Sequence, residues 1–165
     1  MRKIIHYILI YIVFCLVQFS FGKYTNICGI FPNFILILIV YLGLSKGTME
    51  AQLMGFLFGL TWDIFSTDIS GTRAIMFTII GHFLGRLNKK LDRDKIYTQF
   101  VIVFLVSIVY WLGVSFIYCI SYCIIHGSGN YNFTFFTLSG ATKIFATVLV
   151  APAVFYVLNY ALKEA

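Results

Sequence analysis

Two side chains capable of acid–base chemistry lie within long apolar stretches of this sequence. Asp63 occurs in GLTWDIF (59–65), and His82 occurs in TIIGHFLGRL (78–87). An ionisable residue at membrane depth typically marks a proton path, a binding site or an ion pair. If Asp63 and His82 met on neighbouring helices, they would form a proton relay or the acid–base pair of an intramembrane enzyme. The alternative for His82 is a neutral side chain bonded to a carbonyl or a hydroxyl.

Other catalytic and metal-binding patterns are not found in the sequence. No HExxH, GxSxG or P-loop motif occurs, and a relay needs a longer chain of titratable groups than Asp63 and His82 provide. Cys119 and Cys123 share a helical face, but we expect them to be small apolar residues buried in the bundle rather than metal ligands, and the four cysteines form no CxxC pair. We therefore expect a protein that is not an enzyme and that carries no metal and no cofactor.

The composition indicates a membrane protein. Of the 165 residues, 61% are hydrophobic and 11% are charged, against roughly 25% charged residues in soluble domains. A helix needs about 20 apolar residues to cross a bilayer. The chain contains six such runs, at about 4–22, 27–45, 50–66, 72–87, 97–125 and 137–162. They predict one all-α integral membrane domain (1–165) of six transmembrane helices. The first run is too long for a signal peptide and lacks a cleavage site, so we expect it to be retained.

The distribution of basic residues predicts the orientation in the membrane. With a cytoplasmic N-terminus, nine of the 12 lysines and arginines fall on the inside and three on the outside, as the positive-inside rule requires. The inside group is Arg2, Lys3, Lys46, Arg86, Lys89, Lys90, Arg93, Lys95 and Lys163. Both termini of this multi-pass protein should therefore be cytoplasmic, and the net charge of +6 favours anionic lipids over nucleic acid as the partner. The basic loop 86–95 could also dock an acidic cytoplasmic protein.

Glycine spacing predicts close packing between spans three and four. Gly55 and Gly59 form one GxxxG pair, and Gly81 and Gly85 form a second. Small residues at this spacing allow two helix backbones to approach closely in lipid. Because the turn between the two spans is short, we expect an antiparallel hairpin.

Asp63 lies on the same face of span three as its two glycines, close to the end of the span. Three roles are open to it. The carboxylate could cap the first backbone N–H groups of span four, pair with Arg73 across the turn, or face a partner or solute. In either of the first two roles, Asp63 would hold the two helices of the hairpin together.

The stretch 54–87 resembles the rod shape-determining protein MreD family. The family pattern is a glycine-rich helix ending in GL-x-x-D, a turn with a glycine, and a helix closing in G-x-x-x-G-R. The matching residues are Gly59, Leu60, Asp63, Gly71, Gly81, Gly85 and Arg86. Phe31-Pro32 at the start of span two and the six spans agree with this resemblance. We take Gly55, Gly59, Asp63, Gly71, Arg73, Gly81, Gly85 and Arg86 as candidates for helix packing or partner contact.

The resemblance implies a non-enzymatic component of the bacterial inner membrane that helps maintain cell shape. Such a protein binds the bitopic protein MreC and helps to couple MreB filaments to the cell-wall synthases, RodA and a class B penicillin-binding protein. The family is also similar to the six-helix substrate-binding subunits of energy-coupling-factor vitamin transporters. A solute-binding subunit of such a transporter is therefore the alternative function, although the outer loops offer few polar groups for a vitamin.

Overall fold

The computed structural model describes residues 11–18, 20, 32–66, 70–88, 95–126 and 138–163. The regular elements in these segments are helices, which confirms the predicted all-α class. Helix α1 comprises residues 11–18. It is followed by α2 (Phe34–Ser45), α3 (Thr48–Phe65), α4 (Thr72–Leu87), α5 (Ile96–His126) and α6 (Leu138–Lys163). Among the predicted spans, the residues outside the described part of the chain are 4–10, 19, 21 and 22 of the first, 27–31 of the second and 137 of the sixth.

Two of these helices are long and apolar enough to cross a membrane. They are the stretches Ile96–Ser121 of α5 and Gly140–Tyr160 of α6. Helices α3 to α6 begin and end within two residues of the predicted limits of spans three to six. That all six helices cross the bilayer, in the arrangement of the transporter subunits, stays a prediction.

Helix α2 occupies the centre of the bundle. Every residue from Ile35 to Leu44 is buried, and α2 contacts α3, α4, α5 and α6. Its sequence FILILIVYLGLS is apolar on all sides, which is the pattern of a helix enclosed by others. Three fully buried aromatic rings complete the core, namely Phe58 of α3, Phe77 of α4 and Phe155 of α6.

Three polar side chains satisfy the backbone at the start of α2, one from α1, one from α6 and one from the residue before α2. Asn33 caps the helix, because its Oδ1 accepts a hydrogen bond from the N–H of Leu36 at 3.1 Å. The N–H of Phe34 donates to Oε1 of Gln18 in α1 at 3.0 Å, and the N–H of Asn33 donates to Oγ1 of Thr147 in α6 at 2.9 Å. The first N–H groups of a helix have no partner within it. An apolar surrounding offers none either, so these side chains fix where α2 begins.

Two further side-chain pairs join helices that are distant in sequence. The hydroxyl of Tyr41 in α2 donates to Oδ1 of Asn159 in α6 at 2.9 Å. The hydroxyls of Tyr11 in α1 and Thr61 in α3 are hydrogen-bonded to each other. Such hydrogen bonds fix the relative position of helices that otherwise pack through apolar contacts.

We expect removal of the Asn33 cap to destabilise the protein. In Asn33→Ala the N–H of Leu36 loses its acceptor, and loss of a helix cap costs about 1 kcal/mol in free energy of unfolding. Asn33→Ser is the matched control, since serine also caps helices well. Thermal unfolding of the purified protein in detergent measures the difference. Equal stability of Asn33→Ala and wild type would show that the cap contributes nothing.

Candidate functional site

Helices α3 and α4 form an antiparallel hairpin with the most extensive contact between any two described helices. Residues 67–69 of the connecting turn lie outside the described residues. All four glycines of the two GxxxG pairs face the opposite helix. The hairpin interface is therefore the place where the candidate residues meet.

Gly55 and Gly81 each lie against a backbone carbonyl of the other helix. A Cβ added to Gly55 would lie 2.7 Å from the carbonyl oxygen of Phe77, and one added to Gly81 would lie 2.7 Å from that of Ala51. Both distances are well below van der Waals contact. Since a helical backbone cannot rotate away as a side chain can, larger residues at these positions would push the helices apart.

Gly59 and Gly85 extend the same contact towards the two ends of the hairpin. A Cβ on Gly59 would overlap the backbone of Ala74, and one on Gly85 would overlap the backbone of Thr48. The two helices are therefore in backbone contact over nearly their whole length. Such close packing replaces side-chain interdigitation with direct contact between rigid backbones.

Asp63 closes this interface at the end where α4 begins. The residue is 2% exposed, and its Oδ2 accepts hydrogen bonds from the N–H groups of Arg73 and Ala74, both at 3.1 Å. The residue before α4 is Gly71, which has no side chain to act as a cap and whose φ of 91° lies in the left-handed region that favours glycine. A carboxylate on α3 therefore performs the capping that a serine or an aspartate before α4 would perform.

Arg73 neutralises the buried carboxylate. Its Nη1 lies 3.4 Å from Oδ1 of Asp63, and the Arg73 side chain is only 14% exposed. The same nitrogen donates to Oγ of Ser66 at 2.8 Å, and the guanidinium lies 5.5 Å from the centroid of the Trp62 ring. The geometry combines the capping role and the ion-pair role for Asp63. Because both oxygens are engaged within the hairpin, Asp63 is held in place rather than presented to a solute.

His82 lies in the other half of the hairpin. Its Nδ1 is 2.9 Å from the amide nitrogen of Gln52 in α3, so the ring nitrogen accepts a hydrogen bond from that amide. Asp63 binds the N–H of Ala74, eight residues before His82, which corresponds to about 12 Å along the axis of α4. The two side chains thus do not form an acid–base pair. Within the described segments, no three side chains of His, Cys, Asp or Glu converge as metal ligands would.

Arg86 lies away from the interface, exposed in the last turn of α4. A cation at this end of a helix interacts favourably with the helix dipole. Residues 89–94, which carry most of the predicted basic loop, lie outside the described residues. The structure therefore brings seven of the eight candidate residues to the hairpin interface or its turn and leaves Arg86 at the surface.

Sequence inspection missed the polar side chains that hold the other helices together. Examples are Gln18 in α1, Gln52 in α3, and Thr147 and Asn159 in α6. The sequence signal for such contacts is an isolated amide or hydroxyl in an apolar run. Such a group needs a hydrogen-bond partner inside the bundle. The sequence does not reveal which partner each one takes.

Taken together, the fold and the site define an all-helical protein with membrane-compatible helices and a glycine-packed hairpin closed by a buried ion pair. A family model described as rod shape-determining protein MreD matches residues 1–161, which is essentially the whole chain. The protein belongs to the MreD family, and the resemblance seen in the sequence is confirmed. A search of curated proteins and a search of solved structures give no match.

The glycine packing predicts different outcomes for the same substitution at two positions. Gly59→Ala forces a methyl group into the backbone of Ala74, and overpacking of this kind costs about 1–3 kcal/mol of stability. In Gly113→Ala the new methyl group meets only the flexible end of the Met76 side chain, which can move, so we expect little change. Thermal unfolding in detergent should rank Gly59→Ala clearly below Gly113→Ala. An equal effect would mean that α3 and α4 are not in backbone contact.

The Asp63–Arg73 pair predicts strong coupling between its two members. Asp63→Ala leaves a nearly buried guanidinium and two N–H groups without their acceptor, and breaking a buried pair from one side costs about 3–5 kcal/mol. The double variant Asp63→Ala with Arg73→Leu should lose less than the sum of the single variants, because it leaves no unpaired charge. Unfolding of all four proteins in detergent measures the coupling, and additive effects would refute it.

Proposed function

We propose that this protein is a non-enzymatic scaffold of the bacterial inner membrane that helps to hold the cell-elongation complex together. Membership of the MreD family assigns it a role in rod-shape determination. Within that role, its direct partner would be an MreC-like bitopic membrane protein. Through this partner it would help to position peptidoglycan synthesis by RodA and a class B penicillin-binding protein along MreB filaments.

The family match over residues 1–161 is the observation that carries this proposal. The hairpin supports a scaffold because its ionisable side chains are bound by other groups of the hairpin. Asp63 is engaged by Arg73 and Ala74, and His82 is engaged by Gln52. A site built for catalysis would instead direct such groups towards a reacting atom.

The surface of the bundle supports a membrane location. Large apolar side chains are exposed on several helices, for example Phe83 of α4 at 61%, Ile124 of α5 at 78% and Leu149 of α6 at 63%. Apolar exposure on this scale suits lipid or a partner helix rather than water. With both termini cytoplasmic, Asp63 and Arg73 would lie near the outer surface, where a bitopic partner leaves the membrane.

Depletion in a rod-shaped bacterium tests the shape function directly. Cells depleted of this protein should become round, because elongation of the wall loses its spatial control. A plasmid copy of the wild type should restore rods, and Gly113→Ala should do so equally well. Gly59→Leu should fail even when its membrane level matches that of wild type, since leucine separates α3 from α4.

Cell outline under the microscope and immunoblots of membrane fractions are the measurements. Rods that persist after complete depletion would exclude the shape function. Full rescue by Gly59→Leu would show that the packed hairpin is not the functional element.

A further inference from the structure

An apolar groove runs along the first half of α6, outside the hairpin. Its volume is about 630 Å³, and it is lined by Pro32 and by residues of α6 between Ala141 and Val150. The groove is open to the surroundings of the bundle rather than enclosed. Its size is in the range of about 300–1,000 Å³ that is usual for small-molecule sites.

The length of the groove corresponds to one leaflet of a bilayer. From Ala141 to Val150, α6 rises about 14 Å at 1.5 Å per residue, whereas the whole hydrocarbon core is about 30 Å thick. A membrane-spanning partner helix would make contact through both leaflets. A single acyl chain, by contrast, occupies only one leaflet, which the groove matches.

A cation lies beside this groove on the same helix, although it is not one of the lining residues. Lys143 is exposed, and it precedes Ala146 and Val150 by three and seven residues, so the three side chains share one face of α6. Lys163 follows at the other end of α6, about 30 Å away. The two lysines therefore mark the two surfaces of the hydrocarbon core if α6 spans it, and the ammonium of Lys143 lies at headgroup height.

We propose that this groove is a binding site for an anionic phospholipid. One acyl chain lies in the groove, and the phosphate group of the lipid pairs with the ammonium of Lys143. The apolar lining and the neighbouring cation complement the two parts of such a molecule. This site is separate from the hairpin and does not depend on the proposed scaffold function.

Native mass spectrometry of the purified protein tests the proposal. The protein is incubated with equal amounts of phosphatidylglycerol and phosphatidylcholine that carry the same acyl chains. Wild type should retain phosphatidylglycerol about five-fold more than phosphatidylcholine, as expected for one lysine near a membrane surface. Lys143→Gln should bind both lipids equally, and Lys143→Arg should keep the preference.

A second pair of variants separates the groove from general lipid contact. Ala146→Trp fills the groove and should abolish retention of both lipids, whereas Val157→Trp adds the same bulk to an exposed position of α6 that does not line the groove and should behave as wild type. Circular dichroism verifies that each variant is folded.

Three results would overturn the proposal. Equal retention of the two lipids by wild type would exclude a site for an anionic headgroup. An unchanged preference in Lys143→Gln would exclude the lysine. If Ala146→Trp kept its lipid but lost a protein that co-purifies with wild type, the groove would hold a partner helix instead.

Discussion

Direct contact between the backbones of α3 and α4 is the constraint on which the rest of the structure depends. In lipid, apolar side chains gain little by leaving the solvent for a neighbouring helix, so association relies on close packing and hydrogen bonds between helices. The four glycines of the hairpin provide the close packing. The carboxylate of Asp63 then ties the start of α4 to the end of α3. A pair of helices joined in this way behaves as one rigid element against which α2 can pack.

The central helix α2 is also held in place by hydrogen bonds, here from polar side chains to its first backbone N–H groups. Since α2 is buried on all sides, its first N–H groups need acceptors from the bundle itself, and Gln18, Asn33 and Thr147 supply acceptors there. These three polar side chains thus occur where a helix begins, and Tyr41 and Asn159 join two helices in register. None of these bonds requires a ligand, which agrees with the structural character of the family.

The residues of the hairpin could be predicted from the sequence because their signal is local. Glycines four residues apart on two consecutive spans, with Asp63 in line and Arg73 just beyond a short turn, leave few possible arrangements. The central position of α2 could not be predicted, because an apolar run has the same composition whether it faces lipid or protein. The pairing of Tyr41 with Asn159, 118 residues apart, was also hidden, since it depends on the rotation and depth of α6 relative to α2. Likewise, the partner of His82 proved to be the amide of Gln52 and not the carboxylate of Asp63.

These findings describe a helical bundle of the rod shape-determining MreD family, and we propose that it serves as a mechanical support in the shape-determining machinery. We propose that a rigid α3–α4 unit is needed to hold a bitopic partner. The most direct measurement is affinity purification of the tagged protein under mild detergent, followed by mass spectrometry of the proteins that accompany it. Wild type should recover a protein with one membrane span and a periplasmic coiled coil, and Gly59→Leu at equal expression should recover far less. Recovery of no such partner with wild type, or undiminished recovery with Gly59→Leu, would contradict the account.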